Sequence, residues 1–270
     1  MSEQATQMLL QSLSGRSGQR MASSGRIKVS KTGWIVRIST IIAISALVVY
    51  TINFGIETRD PFVIASVIFP IHSFVALIIG WVFFKNPAKG QLEDDLVTVI
   101  IPVYNQKAMI ENVVDAIFQS TYQNLEVVAV NDGSKDGTKE VLDKLAAKYP
   151  MLKVIHKKNE GKRKAIASAY YNSKGKFLIF IDSDSVVDRN AIAELLKAFK
   201  GDPKVGAVVG HAKVWNADKN ALTKCQDVWY DNAFNVRKCA ESYFGNVLCC
   251  SGCLSGYRRE AIANYLPYWT

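Results

Sequence analysis

The sequence contains few of the residues that build zinc sites. Its three histidines, His72, His156 and His211, are isolated from one another, so none of them indicates a metal ligand. Cys250 and Cys253 form a single Cys-x-x-Cys pair without a second pair or a nearby histidine, and such a pair does not favour zinc. In a reducing cytosol, the five cysteines are most simply interpreted as buried thiols.

Two common phosphate-binding patterns are also missing. Neither the P-loop pattern Gly-x-x-x-x-Gly-Lys-Ser/Thr nor the dinucleotide pattern Gly-x-Gly-x-x-Gly occurs in the chain, which disfavours an ATPase and a dehydrogenase. The formal net charge is +9, but no basic module with interleaved aromatic residues accompanies it. The sequence therefore predicts no nucleic-acid partner.

Charge is missing from two long stretches, residues 38–56 and 61–84. Each stretch is long enough to cross a hydrocarbon core of about 30 Å, which takes roughly 20 helical residues. A cleaved signal peptide fits less well, because about thirty mostly polar residues precede the first stretch. We therefore predict two transmembrane helices, at about 38–56 and 61–84, within a membrane segment at 34–84.

Basic residues around these stretches predict their orientation. The loop between them contains Arg59 alone, and Lys85 and Lys89 follow the second stretch. Six basic residues precede the first stretch: Arg16, Arg20, Arg26, Lys28, Lys31 and Arg37. The sequence therefore predicts a multi-pass protein of the plasma membrane whose amino terminus and residues 85–270 face the cytosol. Residues 1–33, rich in Ser, Gln and Gly, are predicted to be a disordered basic tail.

From residue 96 onward, apolar runs typical of strands alternate with helical patterns. Strands are predicted at 97–103, 125–130, 152–155, 177–181 and 205–209. This alternation predicts an α/β domain with a mostly parallel sheet. In such sheets, ligands bind outside the carboxyl ends of the strands.

Three of the predicted strands end in polar residues that should gather at one edge of the sheet. These residues are Tyr104 and Asn105, residues 132–134, and residues 182–184. Asp182 and Asp184 could hold one hard cation, because Mg²⁺ prefers oxygen ligands and is typically held by one or two carboxylates plus substrate phosphates. Residues 182–184 could instead form only a turn.

A basic stretch, Asn-Glu-Gly-Lys-Arg-Lys at 159–164, follows a predicted strand and opens a helix. Backbone N–H groups at the start of that helix, together with Lys162, Arg163 and Lys164, could meet an anion. The alternative is a solvated basic helix start.

Several motifs resemble those of a known family. Ile-Pro-Val-Tyr-Asn at 101–105, Val-Asn-Asp-Gly-Ser-Lys-Asp-Gly-Thr at 130–138 and Phe-Ile-Asp-Ser-Asp at 180–184 resemble successive motifs of family 2 glycosyltransferases with the GT-A fold. Gly-Lys-Arg-Lys-Ala at 161–165, Ser-Tyr-Phe-Gly at 242–245 and Cys-Ser-Gly-Cys-Leu-Ser-Gly-Tyr-Arg at 250–258 resemble the branch of hyaluronan, chitin and cellulose synthases. The resemblance covers about residues 97–269.

The resemblance implies transfer of a sugar, with inversion, from a UDP-sugar to a growing polysaccharide. It implies Mg²⁺ or Mn²⁺ on Asp182 and Asp184. The implied nucleotide contacts are Pro102, Tyr104, Asn105, Asp132, Lys162 and Arg163. Donor-sugar and acceptor contacts are implied for Ser251, Gly252, Tyr257 and Arg258.

The chain departs from the family pattern in three places. Asn131 stands where many members have an aspartate, and Cys253 replaces a usual proline. The acidic motif that contains the family's catalytic base, expected after Leu-Pro-Tyr-Trp at 266–269, is not found. Inverting transfer needs such a base. We therefore interpret residues 85–270 as a GT-A domain that is incomplete at its carboxyl end, and we predict that the chain binds UDP and metal but transfers sugar poorly or not at all.

Two other functions remain compatible with these motifs. One is a membrane-anchored transferase that adds a single sugar to its acceptor. The other is a non-catalytic subunit that binds a UDP-sugar. A single-addition transferase would be distinguished from a polysaccharide synthase by the length of its product. A non-catalytic subunit would be distinguished by UDP binding that does not depend on Asp184.

Overall fold

The computed structural model describes residues 31–59 and 61–269. Residues 1–30 of the tail predicted at 1–33, with Arg16, Arg20, Arg26 and Lys28, lie outside the described residues. The chain divides into two compact units, with the boundary between His72 and Ser73. Each unit is described by itself below.

The first unit contains helix α1, Lys31–Thr58, and the beginning of helix α2, Pro61–Val82. Helix α1 includes residues 31–33, so the boundary predicted for the tail lies inside a helix. Apolar side chains on α1 are largely exposed; Ile42, Leu47 and Tyr50 are examples. The hydroxyl of Thr51 donates to the carbonyl oxygen of Leu47, so this polar group has its hydrogen-bond partner within the helix.

Among the described residues, one helix is long and apolar enough to cross a membrane. It is Ile38–Thr58, with 21 residues and a mean hydropathy of 1.8. Within α2, Ile71–Gly80 is a shorter apolar segment. Both predicted helices are therefore present, but only the first is confirmed as a candidate span.

The second unit is built on one six-stranded sheet in the order β3-β2-β1-β4-β6-β5. Strands β1 to β4 are parallel, and β6 runs antiparallel to both β4 and β5. The bounds are Val97–Val103 for β1, Leu125–Asp132 for β2, Leu152–Lys157 for β3, Phe177–Phe180 for β4, Ala207–Val209 for β5 and Ser255–Arg258 for β6. The mostly parallel α/β sheet is confirmed, and β6 is a strand that the sequence did not predict.

The helices of this unit follow the strands in alternation up to β5 and then cluster near the carboxyl end. They are α3, Ile110–Phe118; α4, Thr138–Lys148; α5, Lys162–Tyr171; α6, Ala191–Gly201; α7, Ala221–Asn232; α8, Lys238–Tyr243; and α9, Arg259–Ala263. A π-helical turn, Ala233–Arg237, joins α7 to α8, and short 3-10 turns occupy Ala217–Lys219 and Leu266–Trp269.

The core lies on both faces of the sheet. Val99 and Ile101 of β1 pack with α3, α4 and α6 on one face, whereas Ile100 packs with α5 on the other. Successive side chains of a strand point to opposite faces, so an unbroken β-branched run fills both layers. Burial of each such side chain contributes about 1.5–3 kcal/mol.

The cysteines do not belong to this core. Cys225 and Cys249 are exposed, and Cys239, Cys250 and Cys253 are half-buried. Their interpretation as buried thiols is therefore wrong. They lie on α7, on α8 and in the segment that leads to β6, outside strands β1 to β4 and the helices that pack on them.

Candidate active site

The carboxyl ends of β1, β2 and β4 meet at one edge of the sheet, where they line a cavity of about 430 Å³. We call it the first cavity. Three strand ends contribute to its wall: residues 102–104 at the end of β1, Asp132 at the end of β2, and residues 182–184 after β4. The loop before α5 and the first turn of that helix complete the wall. Six predicted site residues are thus brought together: Pro102, Tyr104, Asp132, Lys162, Asp182 and Asp184.

Asp132 is fixed by the backbone of the loop before α5. Its side chain is 5% exposed, and its two carboxylate oxygens accept hydrogen bonds from the N–H groups of Glu160 (3.0 Å) and Gly161 (2.8 Å). Gly133, next along the chain, has a φ of +77°, and a Cβ there would lie 2.7 Å from the backbone nitrogen of Asn159. Glycine is therefore needed for the two loops to approach this closely.

Asp182 and Asp184 form a turn and also line the first cavity. The N–H of Ser185 donates to the carbonyl oxygen of Asp182 over 3.0 Å, which closes the turn. Asp182 is half-buried and accepts a hydrogen bond from the ammonium of Lys162, whereas Asp184 is exposed. The segment is therefore a turn whose two carboxylates lie at the cavity, and the hard cation that the sequence suggested for them stays a prediction.

The described residues contain no group of three or more His, Cys, Asp or Glu side chains that could hold a metal ion. Protein ligands at the first cavity would be the two carboxylates of Asp182 and Asp184. This small set fits a cation of the Mg²⁺ type, since such ions keep water and take substrate phosphates as further ligands.

Two predicted nucleotide contacts lie outside the lining of this cavity. Arg163 is exposed on the first turn of α5. Asn105, with a φ of +51°, joins two loops instead: its N–H donates to the hydroxyl of Ser134 (2.9 Å), and its side-chain oxygen accepts from the N–H of Lys135 (2.8 Å). Asn105 therefore positions the loops that bear Tyr104 and Asp132.

A second cavity, of about 390 Å³, adjoins the first and shares Asp182 with it. Ser251 and Gly252, both predicted site residues, line this second cavity. A Cβ at Gly252 would lie 3.1 Å from Nζ of Lys162 and 3.2 Å from Oδ1 of Asp182. The absence of a side chain there lets the backbone approach the ion pair between the two cavities.

Among the residues of the second cavity that were not predicted from the sequence are three aromatic residues and a lysine: Trp229, Tyr230, Phe234 and Lys238. They lie on α7, the π-helical turn and α8. The aromatic residues at 229, 230 and 234 were the signal that could have identified this surface, since large aromatic side chains seldom cluster on a helix without a contact.

Tyr257 and Arg258 do not line either cavity. The ring of Tyr257 packs 4.9 Å from that of Phe180, and burial raises its pKa to about 12. Arg258 pairs with Phe177 at the amino end of β4, opposite the edge that bears the cavities. Its guanidinium donates to the carbonyl oxygens of Phe199 (2.6 Å) and Val205 (2.7 Å).

This position corrects the prediction that Arg258 shapes a sugar pocket. Strand β6 runs antiparallel to β4, so each step from Ser255 toward Arg258 leads away from the site. Arg258 ties β6 to the end of α6, and Tyr257 packs on the sheet. The sequence did not reveal this, because β6 itself was not predicted.

Three of the carboxylates beyond residue 210 contact groups outside the two cavities. Asp227 accepts from the N–H of Val214 (3.0 Å), Asp231 pairs with His211 (3.0 Å), and Glu241 accepts from the N–H of Leu248 (3.3 Å). Within the described part of the chain, no carboxylate past residue 210 lines either cavity. The structure therefore brings none of these three carboxylates to the lining of the two cavities.

Residues 98–266 match the family described as Glycosyl transferase family 2, and the chain belongs to this family. It is similar to the hyaluronan synthase of Streptococcus pyogenes, with 36% identity over 197 residues, which is 70% of this chain and 47% of the relative. It is also similar to a poly-beta-1,6-N-acetyl-D-glucosamine synthase of Staphylococcus aureus, with 26% identity over 212 residues, or 74% of this chain and 51% of the relative. The chain thus spans about half the length of these relatives.

The fold is similar to that of a solved mannosyltransferase from Pyrobaculum calidifontis. The TM-score is 0.59 and the identity 23%, and the match covers 82% of this chain and 58% of the other. The predictions of a family 2 glycosyltransferase and of a likeness to hyaluronan synthase are confirmed.

Proposed function

We propose that the chain binds a UDP-sugar in the first cavity and supplies the donor side of an inverting transferase that builds a polysaccharide. One observation carries this proposal: a single cavity joins the ends of three strands and holds three carboxylates beside the ammonium of Lys162. Family 2 membership and the two polysaccharide-synthase relatives support it.

In this proposal, Pro102 and Tyr104 form the wall against the nucleotide base, and Asp132 contacts the base or the ribose. Tyr104 is 48% exposed, so its ring is available to a ligand. Lys162 faces the diphosphate. Asn105 supports this wall through its contacts with Ser134 and Lys135, and Arg163 adds positive charge near the entrance.

Asp182 and Asp184 would hold Mg²⁺ or Mn²⁺ at the diphosphate. Such a cation, when bound, stabilises the negative charge that develops on the leaving nucleotide. The mannosyltransferase with the similar fold was solved with GDP-mannose and Mn²⁺. In the present chain, Lys162 neutralises Asp182 and so keeps two carboxylates and a diphosphate from repelling one another.

The transfer itself needs a base that removes the proton of the acceptor hydroxyl. No described carboxylate past residue 210 reaches the cavities, so we propose UDP and metal binding with weak or absent transfer by these 270 residues. The acceptor is a growing polysaccharide, as the names of the two relatives suggest.

We also propose that α1 and α2 both cross the plasma membrane, with the glycosyltransferase domain on the cytosolic side. Helix α1 has the length and hydropathy for this, and residues 61–84 contain no charged side chain. The basic residues that flank the two stretches favour the cytosolic side.

The proposal is tested by titrating UDP, with and without Mg²⁺, into the full chain in detergent micelles, followed by isothermal titration calorimetry. We expect Mg²⁺-dependent binding that Asp184→Asn weakens more than about tenfold, because charge-assisted ligands at the diphosphate are lost. Asp188→Asn is the matched control, since Asp188 is exposed and lies outside both cavities.

Two results would decide against this scheme. If the wild-type chain does not bind UDP, the proposed donor site is wrong. If UDP binds equally well to Asp184→Asn, the carboxylate pair has no part in it, and the chain is a nucleotide-sugar-binding subunit without metal-dependent chemistry.

A further inference from the structure

The second cavity is built on a helix that changes its winding. Helix α7 passes through the π-helical turn Ala233–Arg237 into α8. Trp229 and Lys238 both line the cavity, yet nine residues are about two and a half turns of an α-helix, which would place them on opposite sides. A π-helical turn holds more residues, so it brings Lys238 round toward the side of Trp229. Such turns are frequent at functional sites.

The aromatic part of the cavity wall is open to a ligand. Trp229 is 73% exposed, Tyr230 is half-buried, and the ring of Tyr230 lies 6.0 Å from that of Phe234, which is 8% exposed. Flat apolar faces with a nearby hydroxyl, here that of Ser251, suit a pyranose ring, because its C–H groups form an apolar face and its hydroxyls point outward. Pockets that bind small ligands combine aromatic walls with few polar groups in this way.

Lys238 adds a positive charge that no described carboxylate pairs with. It is half-buried, donates to the carbonyl oxygen of Cys249 and lies 5.3 Å from the ring centroid of Phe234. None of the ion pairs among residues 31–59 and 61–269 includes Lys238. The other charged residue of this wall, Asp182, is paired with Lys162. A partly buried ammonium without a carboxylate is favourable when a ligand supplies one.

The second cavity adjoins the first, in which we propose that the donor binds. Both cavities share Asp182, and the backbone at Gly252 approaches the Lys162–Asp182 pair. A ligand in the second cavity therefore lies beside the sugar of a donor in the first.

We propose that the second cavity is an acceptor subsite, in which a pyranose ring of the glycan lies against Trp229 and Tyr230 and Lys238 selects a ring that carries a carboxylate. This inference rests on the proposed function, because the transfer defines what an acceptor is.

The experiment titrates two probes into the full chain in detergent micelles: a tetrasaccharide that contains glucuronate, and the neutral tetrasaccharide of N-acetylglucosamine. We expect the wild type to bind the acidic probe more tightly. Trp229→Ala should weaken both probes by about tenfold through the loss of aromatic packing. Lys238→Gln should weaken the acidic probe alone by about tenfold, since a charge-assisted hydrogen bond is lost.

The chain offers matched controls. Trp215 is 55% exposed and lies outside the cavity, and Lys224 is an exposed lysine on α7 that also lies outside it. Trp215→Ala and Lys224→Gln should leave both affinities unchanged. Trp229→Phe, which keeps an aromatic face, should fall between the wild type and Trp229→Ala, and this separates stacking from misfolding.

A parallel titration with UDP separates this inference from the proposed function. If the wild type binds UDP but neither tetrasaccharide, or if Trp215→Ala behaves like Trp229→Ala, the acceptor subsite is wrong and the donor site stands. If the wild type does not bind UDP, the proposed function fails instead. Loss of UDP affinity in Lys238→Gln, with the acidic tetrasaccharide unaffected, would assign Lys238 to the donor phosphates and overturn carboxylate selection.

Discussion

Asp132 combines a structural task with its place in the first cavity. Its carboxylate accepts hydrogen bonds from two consecutive N–H groups, those of Glu160 and Gly161, while the side chain is almost completely buried. These two hydrogen bonds fix the position of the loop before α5 relative to the end of β2. The shape of the cavity beside Lys162 therefore depends on Asp132 before any ligand is present.

Asp132→Asn tests this dependence at the scale of one residue. The amide keeps the shape of the side chain but replaces one acceptor oxygen with a donor that faces an N–H group. Leaving such buried groups unpaired costs about 1–3 kcal/mol. We expect a lower thermal unfolding midpoint, weaker UDP binding and faster hydrogen exchange at the amides of residues 160 and 161, measured by mass spectrometry.

The control for this variant is Asp143→Asn, because the side chain of Asp143 is 55% exposed and its ion pair, among the described residues, is with the ring of His156. It should leave exchange at residues 160 and 161 unchanged. Equal exchange in Asp132→Asn and the wild type would show that the carboxylate does not hold the loop.

At the scale of elements, two loops meet so closely that one of them requires glycine. Gly133 has a φ of +77°, and a Cβ there would lie 2.7 Å from a backbone nitrogen of the facing loop. Gly245 has a similar φ of +68°, but nothing lies within 4 Å of its Cβ position. Alanine substitutions at these two glycines therefore separate the cost of backbone strain from the cost of crowding.

Gly133→Ala should therefore be more harmful than Gly245→Ala. In both variants, a left-handed conformation with a Cβ lowers the free energy of unfolding by about 1–2 kcal/mol. Gly133→Ala must in addition displace the loop at 159–161. We expect Gly133→Ala to have the lower unfolding midpoint and weaker UDP binding, and Gly245→Ala to bind UDP normally. Identical unfolding midpoints for the two variants would contradict the crowding at Gly133.

The elements also show which parts of the structure the sequence could predict. Apolar β-branched runs such as 97–103 are buried on both faces of a parallel sheet, and the polar residues at their ends necessarily meet at one edge. Strand β6 has only four residues, Ser-Gly-Tyr-Arg, and no apolar run. Its pairing with β4 depends on tertiary packing, which local pattern does not encode.

The same reason applies to the candidate site. Asp132, Asp182 and Asp184 are recognisable because their positions at strand ends are fixed by the sheet. Lys238 is brought to the second cavity by a π-helical turn, and no helical periodicity predicts a change of winding. The pairing of Lys162 with Asp182 depends on the start of α5 and the loop after β4, which are 20 residues apart in sequence.

At the scale of the molecule, the stability of the second unit should depend on acid pH through Asp95. Its carboxylate contacts Lys200 on α6 and Lys176 before β4. Burial acts to raise the pKa of Asp95, but hydrogen bonds from Lys200 and Lys176 lower it more, so that it lies below the usual 3.8. The charged form therefore joins three distant parts of the chain.

The sign of the pH dependence follows from this lowered pKa. The stabilisation is fully present above pH 3.8 and is lost as the pH falls through the lower pKa of the folded state. We expect Asp95→Asn to be less stable than the wild type by about 1–3 kcal/mol at neutral pH, with the difference shrinking below pH 4. Differential scanning fluorimetry in detergent across this range measures it.

Asp94→Asn is the neighbouring control, since Asp94 is exposed whereas Asp95 is half-buried. It should follow the wild type throughout the titration. A constant difference between Asp95→Asn and the wild type down to pH 2 would mean that Asp95 does not titrate as described.

The position of β6 determines when this domain can be completed during synthesis. Among the described strands, β5 pairs with β6 alone, and β6 fills the gap between β5 and β4. Ser255 leaves the ribosome 75 residues after Phe180 (255 − 180), so the edge of β4 stays uncovered for all that time. An unpaired edge is a template for association with other chains. A nascent chain interrupted before residue 255 would therefore expose an unpaired strand edge that can associate with other chains, so chaperones and the quality control of translation would have to deal with it.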